Sequence, residues 1–241
     1  MHVLLSRHNI SSSSQIRSYF SEENLNLLIE NMYLKKLGTG SYLFMEGDPS
    51  DRLFYVYQGK IKITKQTPGG KEFILYFLQD GDIYGEIGDK NEVQHNCSAY
   101  VMEDSVVGIL QQSDLEILLY RHGDLATQFV KWMGMMNRKT QSKFRDLLLY
   151  GKPGALCSTL IRLTNTCGVE IEEGILISLR LTHSELANMI GTTRESVNRI
   201  LNDLKSQDVI GYHDGSIVVK DLDYLRNICH CGDCPAEICR I

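Results

Sequence analysis

The sequence predicts an α+β protein: an N-terminal antiparallel β-roll, a long helix and a C-terminal winged helix-turn-helix. Three observations carry this prediction. Short alternating apolar runs punctuated by nine glycines fill Gly38–Gly88, a helical stripe recurs over Leu125–Leu147, and a capped helix pair followed by a hairpin occupies Thr182–Val219. At 241 residues, 43% of them hydrophobic and only four of them proline, the chain suits one large or two modest domains and is not disordered. The expected organisation is an N-terminal tail over 1–20, the roll over 21–112, a dimerisation helix over 113–150, the winged helix domain over 151–222 and a cysteine-rich tail over 223–241.

Each element has a local cause. Ser21 is placed to cap a helix that carries Leu25, Leu28 and Ile29 on one face. The runs "RLFYVY", "KIKIT" and "KEFILYFL" alternate with period two, and "TPGGK" at Thr67–Lys71 reads as a hairpin turn. Leu125, Phe129, Trp132, Met136, Thr140, Phe144 and Leu147 recur at steps of three and four. A stripe of that length spans about 36 Å and suits the seam of a two-stranded dimer; a core helix of one chain is the alternative. "YGKPG" at Tyr150–Gly154 should break the helix and mark a domain boundary. Beyond it a helix is expected through Ala155–Leu163, a strand at Ile175–Leu179, and a final hairpin turning at Asp214-Gly215.

The segment "LTHSELANMIGTTRESVNRILNDL" carries the chemistry of DNA reading. Thr182 and Glu185 form a capping box, Gly191 ends the first helix, and Thr192 or Thr193 caps the second. Val197, Ile200, Leu201 and Leu204 form the inner face of that second helix. Arg194, Glu195, Asn198 and Arg199 are left outside, with Thr193 at its start. Arginine suits guanine O6 and N7, glutamate the cytosine amino group, and asparagine adenine.

The formal net charge of −5 argues against indiscriminate polyanion binding, so any DNA contact must be local. Asp146 is the only acidic residue between Asp124 and Glu170, a stretch that carries seven lysines and arginines. The plain account of Asp146 is an ion pair, with Arg145 or Lys143. No apolar run approaches the roughly 20 residues that span a bilayer, and the N-terminal apolar run is too short for a signal peptide, so a cytoplasmic protein away from membranes is expected. No nucleophile–base set or phosphate loop stands in a convincing context, so an enzyme is not expected. Of seven cysteines, Cys97, Cys157 and Cys167 sit among apolar or small neighbours as core thiols, whereas Cys229, Cys231, Cys234 and Cys239 crowd into the last thirteen residues. Such thiols suit zinc or an iron–sulfur cluster.

"TRESVNRIL" resembles the recognition helix of the CRP/FNR superfamily, in which an Arg-Glu-x-x-x-Arg pattern reads a TGTGA-type half-site. Arg194, Glu195 and Arg199 match it. The resemblance extends over most of the chain and implies a homodimer on double-stranded DNA, with half-site centres one helical turn apart and RNA polymerase as a further partner. Tyr84–Val101 resembles the phosphate cassette of the cyclic-nucleotide binders. Gly85 and Glu86 are present, but Cys97 stands where those members carry an arginine before Ser98-Ala99. A cyclic phosphate lacks its charge-assisted partner there, so a cyclic nucleotide is not the expected effector.

The tail spacing Cys231-x2-Cys234-x4-Cys239 and the stretch "SKFRDLLLYGKPGAL" resemble the FNR branch with C-terminal cluster cysteines. In that branch three cysteines and an aspartate at the end of the dimer helix hold a 4Fe–4S cluster. The ligands implied here are Cys231, Cys234, Cys239 and Asp146. Cys229 is the rival for the fourth place, disfavoured because one intervening residue would have to set two thiolates on different irons. The expected function is oxygen-responsive control of transcription through an oxygen-labile cluster. The alternatives are a regulator with a structural zinc tail and another effector, and a cyclic-nucleotide-binding module.

Overall fold

The computed structural model describes residues 15–86, 88, 94–232, 234–235 and 238–241. Most of the expected N-terminal tail, 1–14, and the middle of the cassette, 87 and 89–93, lie outside the described residues.

After a 3-10 turn at Gln15–Ser18, helix α1 (Glu22–Glu30) starts at Ser21, whose hydroxyl accepts from the Asn24 amide. Leu25 and Leu28 are buried on its inner face. The roll follows as β1 (Tyr33–Leu37), β2 (Tyr42–Phe44), β3 (Arg52–Gln66), β4 (Glu72–Leu78), β5 (Ile83–Tyr84) and β6 (Ser98–Gln111). The strands form one sheet in the order β1-β6-β3-β4, with β2 added on β6 and β5 on β3. The long strand β3 pairs antiparallel with β6 from Arg52↔Gln111 to Thr64↔Ser98, with its register shifting between Val56 and Ile61. Gly59 is required in that irregular stretch: its φ is +115°, and a Cβ there would meet the Ser105 side chain.

The helices differ in part from expectation. The segment 113–150 holds two helices, α2 (Gln112–Arg121) and α3 (Gly123–Leu149). "YGKPG" does not make a long break. Helix α4 (Gly151–Cys167) begins one residue after Tyr150, with Pro153 inside its first turn. A proline there gives up an N–H that has no helical partner, so it starts a helix as readily as it stops one. Strands β7 (Gly168–Ile171) and β8 (Gly174–Ile177), helices α5 (His183–Met189) and α6 (Arg194–Ser206), and strands β9 (Ile210–His213) and β10 (Ser216–Val219) complete the winged helix. Its sheet runs β7-β8-β10-β9. The wing turns where expected, with positive φ at both Asp214 (49°) and Gly215 (81°). The tail opens with a helix that its sequence did not announce, α7 (Leu222–Ile228), capped by Asp221.

The chain divides into two compact units, one of Met1–Lys65 with Tyr76–Met133 and the other of Gln66–Leu75 with Gly134–Ile241. The first is built on Leu53, Phe54, Val56, Ile61, Ile63, Val101, Val107 and Leu115, each at most 1% exposed. It also takes in the first half of α3. Leu125, Phe129 and Trp132 are 0%, 5% and 5% exposed, and the two aromatics gather with Phe20 at centroid distances of 5.2–6.5 Å. This corrects the expected seam: its first three members are core of their own chain. Met136 and Leu147 are half-buried, and Thr140 and Phe144 are exposed. The apolar side chains that α3 leaves open are Val130, Met133, Phe144, Leu148 and Leu149. Periodicity reports that a helix has an apolar stripe; it does not report which neighbour covers it.

Candidate functional site

Two places in the second unit gather the residues singled out by the sequence. The first is the helix pair. Thr182 accepts from the Glu185 amide while the Glu185 carboxylate accepts from the Thr182 amide, a closed capping box. Such a cap stabilises a helix start by about 1 kcal/mol. Leu186, Ala187 and Met189 are buried, and Gly191, at φ +65°, turns the chain into α6. Thr193 is the cap of α6, its hydroxyl accepting from the Ser196 amide, while Thr192 packs inside. Val197, Ile200, Leu201 and Leu204 anchor α6 on the core, so its opposite face is fixed outward. Thr193, Arg194, Glu195, Asn198 and Arg199 are all exposed on it. Glu195 lies below the usual carboxylate range, held by its own amide at the helix start and by the Thr193 hydroxyl. The arrangement offers two cations, a carboxylate and an amide on one and a half turns, a size that fits the major groove.

The second place is a small pocket of about 10 Å³ between the end of α3, the middle of α4 and the tail. Its walls include Asp146, Arg145 and Arg162 as well as Cys229, Cys231, Cys234 and Cys239. All five proposed or rival ligands therefore face one space. Asp146 is 4% exposed and fully engaged. Its Oδ1 accepts from Arg145 Nε and Nη2 at 3.0 and 2.8 Å, and its Oδ2 from Arg162 Nη2 at 2.6 Å and Ser158 Oγ at 2.5 Å. The ion pair expected with Arg145 is present, and Arg162 is the partner that sequence spacing did not suggest.

The thiols differ in setting. Cys229 and Cys239 are buried, and Cys231 and Cys234 are half-buried. Burial, aided by the neighbouring Cys231 and Asp146, pushes the Cys229 thiol up to about 11. Cys239 is also raised by burial, against the nearby charge of Arg162. His230, at φ +46°, turns the chain sharply between Cys229 and Cys231, so that segment is not extended. The geometry brings both cysteines to the pocket and does not rank Cys229 below Asp146. Among the described residues, no three His, Cys, Asp or Glu side chains stand close enough together to hold a metal ion as placed. The donor types nonetheless suit a soft metal group: four thiols line the one pocket, with two guanidinium groups beside them to offset thiolate charge.

The roll shows what became of the cassette. Glu86 is turned onto its own neighbours. Tyr84 Oη and Cys97 Sγ donate to its Oε1 at 2.6 and 2.9 Å, the Asn96 amide donates to Oε2 at 3.1 Å, and the His95 ring nitrogen Nδ1 lies 3.6 Å from Oε2. Burial works against the Glu86 charge, but His95, Cys97, Tyr84 and the Asn96 amide more than offset it and hold the carboxyl at about 2. Cys97 is fully buried and pushed up to about 12, chiefly by that burial and by Glu86. The thiol in the arginine's place thus satisfies a glutamate and is turned away from solvent.

Residues 154–228 match the Crp-like helix-turn-helix domain and residues 34–122 the cyclic nucleotide-binding domain. The chain is 44% identical over 217 residues to the anaerobic regulatory protein of Bacillus subtilis, covering 89% of this chain and 91% of that one. It is 25% identical over 186 residues to a CRP-like cAMP-activated global transcriptional regulator of Mycobacterium tuberculosis, covering 77% and 83%. A solved CooA variant from Carboxydothermus hydrogenoformans shares the fold with a TM-score of 0.74 at 20% identity, over 92% of this chain and 98% of that one. With the capped helix pair, the wing and the roll all in place, the chain belongs to the CRP/FNR family of DNA-binding transcription regulators.

Proposed function

We propose that the protein regulates transcription in response to oxygen, as a homodimer on a palindromic TGTGA-type site, through a 4Fe–4S cluster held by Cys231, Cys234, Cys239 and Asp146. The observation that carries this reading is the pocket itself, whose lining brings Cys231, Cys234 and Cys239, together with Cys229, to Asp146 near the end of α3. The name of the Bacillus subtilis relative, an anaerobic regulatory protein, points the same way.

When bound, the cluster supplies an oxygen-labile cross-link. The chain supplies the rest. Asp146 belongs to α3, and the three cysteines belong to the tail that follows the wing and α7, so shared ligation ties the recognition unit to the helix that spaces the two protomers. Val130, Met133, Phe144 and Leu148 form the seam of the dimer. Without the cross-link the recognition helices lose their fixed spacing, so DNA affinity falls while the dimer persists. RNA polymerase is the partner at the promoter. The closed ring around Glu86 supports a roll that transmits no cyclic-nucleotide signal.

A structural zinc is the second reading, because four thiols line the pocket and every donor-accepting edge of Asp146 is already in use. Purification without oxygen, followed by iron, sulfide and zinc analysis and an absorption spectrum before and after air, separates the two. Iron with equimolar acid-labile sulfide, lost in air together with specific DNA binding, is the expected result. Stoichiometric zinc that survives air would replace the cluster reading.

A further inference from the structure

We propose that Arg162 is a positioning residue that presets the pocket, docking the C-terminal tail onto α4 and holding Asp146 toward it before any metal arrives. Its relevance to a metal rests on the reading above; the docking does not.

Arg162 is 2% exposed and divides its two terminal nitrogens between two jobs. Nη1 donates to the Ile238 carbonyl at 3.2 Å, and Nη2 donates to Asp146 Oδ2 at 2.6 Å and Ser142 Oγ at 2.9 Å. One buried cation therefore joins the tail to the end of α3. Its neighbours on the same face of α4 extend the attachment. Asn165 Nδ2 donates to the Cys239 carbonyl at 2.8 Å, the Thr166 hydroxyl accepts from the Ile241 amide at 3.0 Å, and the Thr166 carbonyl accepts from Arg240 Nη2 at 3.1 Å. Residues at i, i+3 and i+4 lie on one side of a helix, so these three side chains form a polar rail. None of these bonds needs a metal. They fix the backbone at and around Cys239, whose thiol lines the pocket.

The charge has a second use. Three thiolates and a carboxylate around a doubly positive cluster core would leave two negative charges, which Arg145 and Arg162 would match. A buried charge persists only where it is paired, and here each state of the pocket pairs it: Asp146 alone, or the ligated group. Lysine cannot replace this fork, since a single ammonium on a flexible stem does not bridge a carbonyl and a carboxylate in fixed geometry.

The test uses the full chain in metal-free form and follows iodoacetamide labelling of Cys239 by mass spectrometry, with the core thiol Cys157 as internal reference. Release of the tail exposes Cys239 alone, whereas general loosening exposes both. Arg162→Gln should raise Cys239 labelling about ten-fold relative to Cys157, the scale of a lost charge-assisted hydrogen bond. Arg162→Lys should keep the labelling high although the charge is restored. If Arg162→Gln does not fold, the double variant Arg162→Met with Asp146→Leu removes both charges at once and should show the same release. Unchanged relative labelling in a folded variant, or full protection restored by lysine, overturns the proposal. The failure of the cluster reading looks different: wild-type protein that takes up no iron from ferrous iron and sulfide under anoxia, with Cys239 still protected by Arg162.

Discussion

Arg194 begins α6 on the face that Val197 and Leu201 hold outward, and among the described residues its guanidinium makes no hydrogen bond or salt bridge. An unengaged fork at the start of a recognition helix is suited to a guanine edge, and a bidentate pair of that kind discriminates by about 1–3 kcal/mol per half-site. Arg194→Ala should lose that discrimination at one guanine in each half-site and leave the fold intact, since it removes no buried contact. Fluorescence anisotropy with the palindrome and with single-base variants measures it; an equal loss on random DNA would make Arg194 a phosphate contact. Glu86 gives a second test at this scale. Its carboxyl sits at about 2 in the folded chain against an ordinary 4.5, so its contribution to stability is present above the unfolded value and is lost as pH falls through the folded one. Glu86→Gln should therefore be less stable than wild type near pH 6, with the difference shrinking toward about pH 3. Urea unfolding across that range reads it, and a constant difference would show that the ring around Glu86 acts through packing alone.

Among the elements, α3 carries two faces with different fates. Phe129 and Trp132 are core, so Phe129→Asp should unfold the first unit; truncating a buried aromatic alone costs about 3–5 kcal/mol, and a buried charge adds to it. Phe144 is 62% exposed and Leu148 63%, so Phe144→Asp or Leu148→Asp should shift chain stability by no more than about 0.5 kcal/mol. Either change should raise the dimer dissociation constant about ten-fold or more in sedimentation. A folded Phe129→Asp monomer, or an unaffected Phe144→Asp dimer, would return the seam to the other face. The contrast shows what was legible in the sequence. Features set within a few residues were readable: the Thr182–Glu185 box, the turn at Gly191 and the Asp214-Gly215 wing are local chemistry, and the structure has each of them. Features set by a distant neighbour were not. The pairing of Arg162 with the Ile238 carbonyl spans 76 residues and leaves no periodic trace. Pro153 misled for a related reason, because a proline marks a helix end without saying which end. Helix α7 is too short to show a full apolar stripe, and its one fully buried residue, Leu225, gives no period.

At the scale of the whole molecule, the proposed cluster would make the pocket the place where sensing and DNA reading meet. If the tail cysteines and α3 share one group, sensing and spacing are the same event, and the ligand set should show it. The sequence placed Cys231, Cys234, Cys239 and Asp146 together by resemblance, and the fold brings them to one pocket along with Cys229. The contest for the fourth place is between Asp146, saturated by Arg145, Arg162 and Ser158, and Cys229, whose thiol donates to the Arg226 carbonyl at 3.6 Å. A carboxylate is a hard ligand on a soft cluster, so an aspartate corner is the more easily displaced, and that lability suits a sensor. Replacing each of the five by alanine and reconstituting without oxygen should abolish the cluster in the Cys231, Cys234 and Cys239 variants and leave it intact in Cys229→Ala. Asp146→Ala should give a cluster that is lost or altered in its oxygen lability, and specific DNA binding should fall with it. Should Cys229→Ala instead lose the cluster while Asp146→Ala retains it with ordinary lability, Asp146 serves only as the counter-charge of Arg162. The tail would then hold its metal without a ligand from α3, and DNA binding would have to be controlled through the docking of the tail on α4.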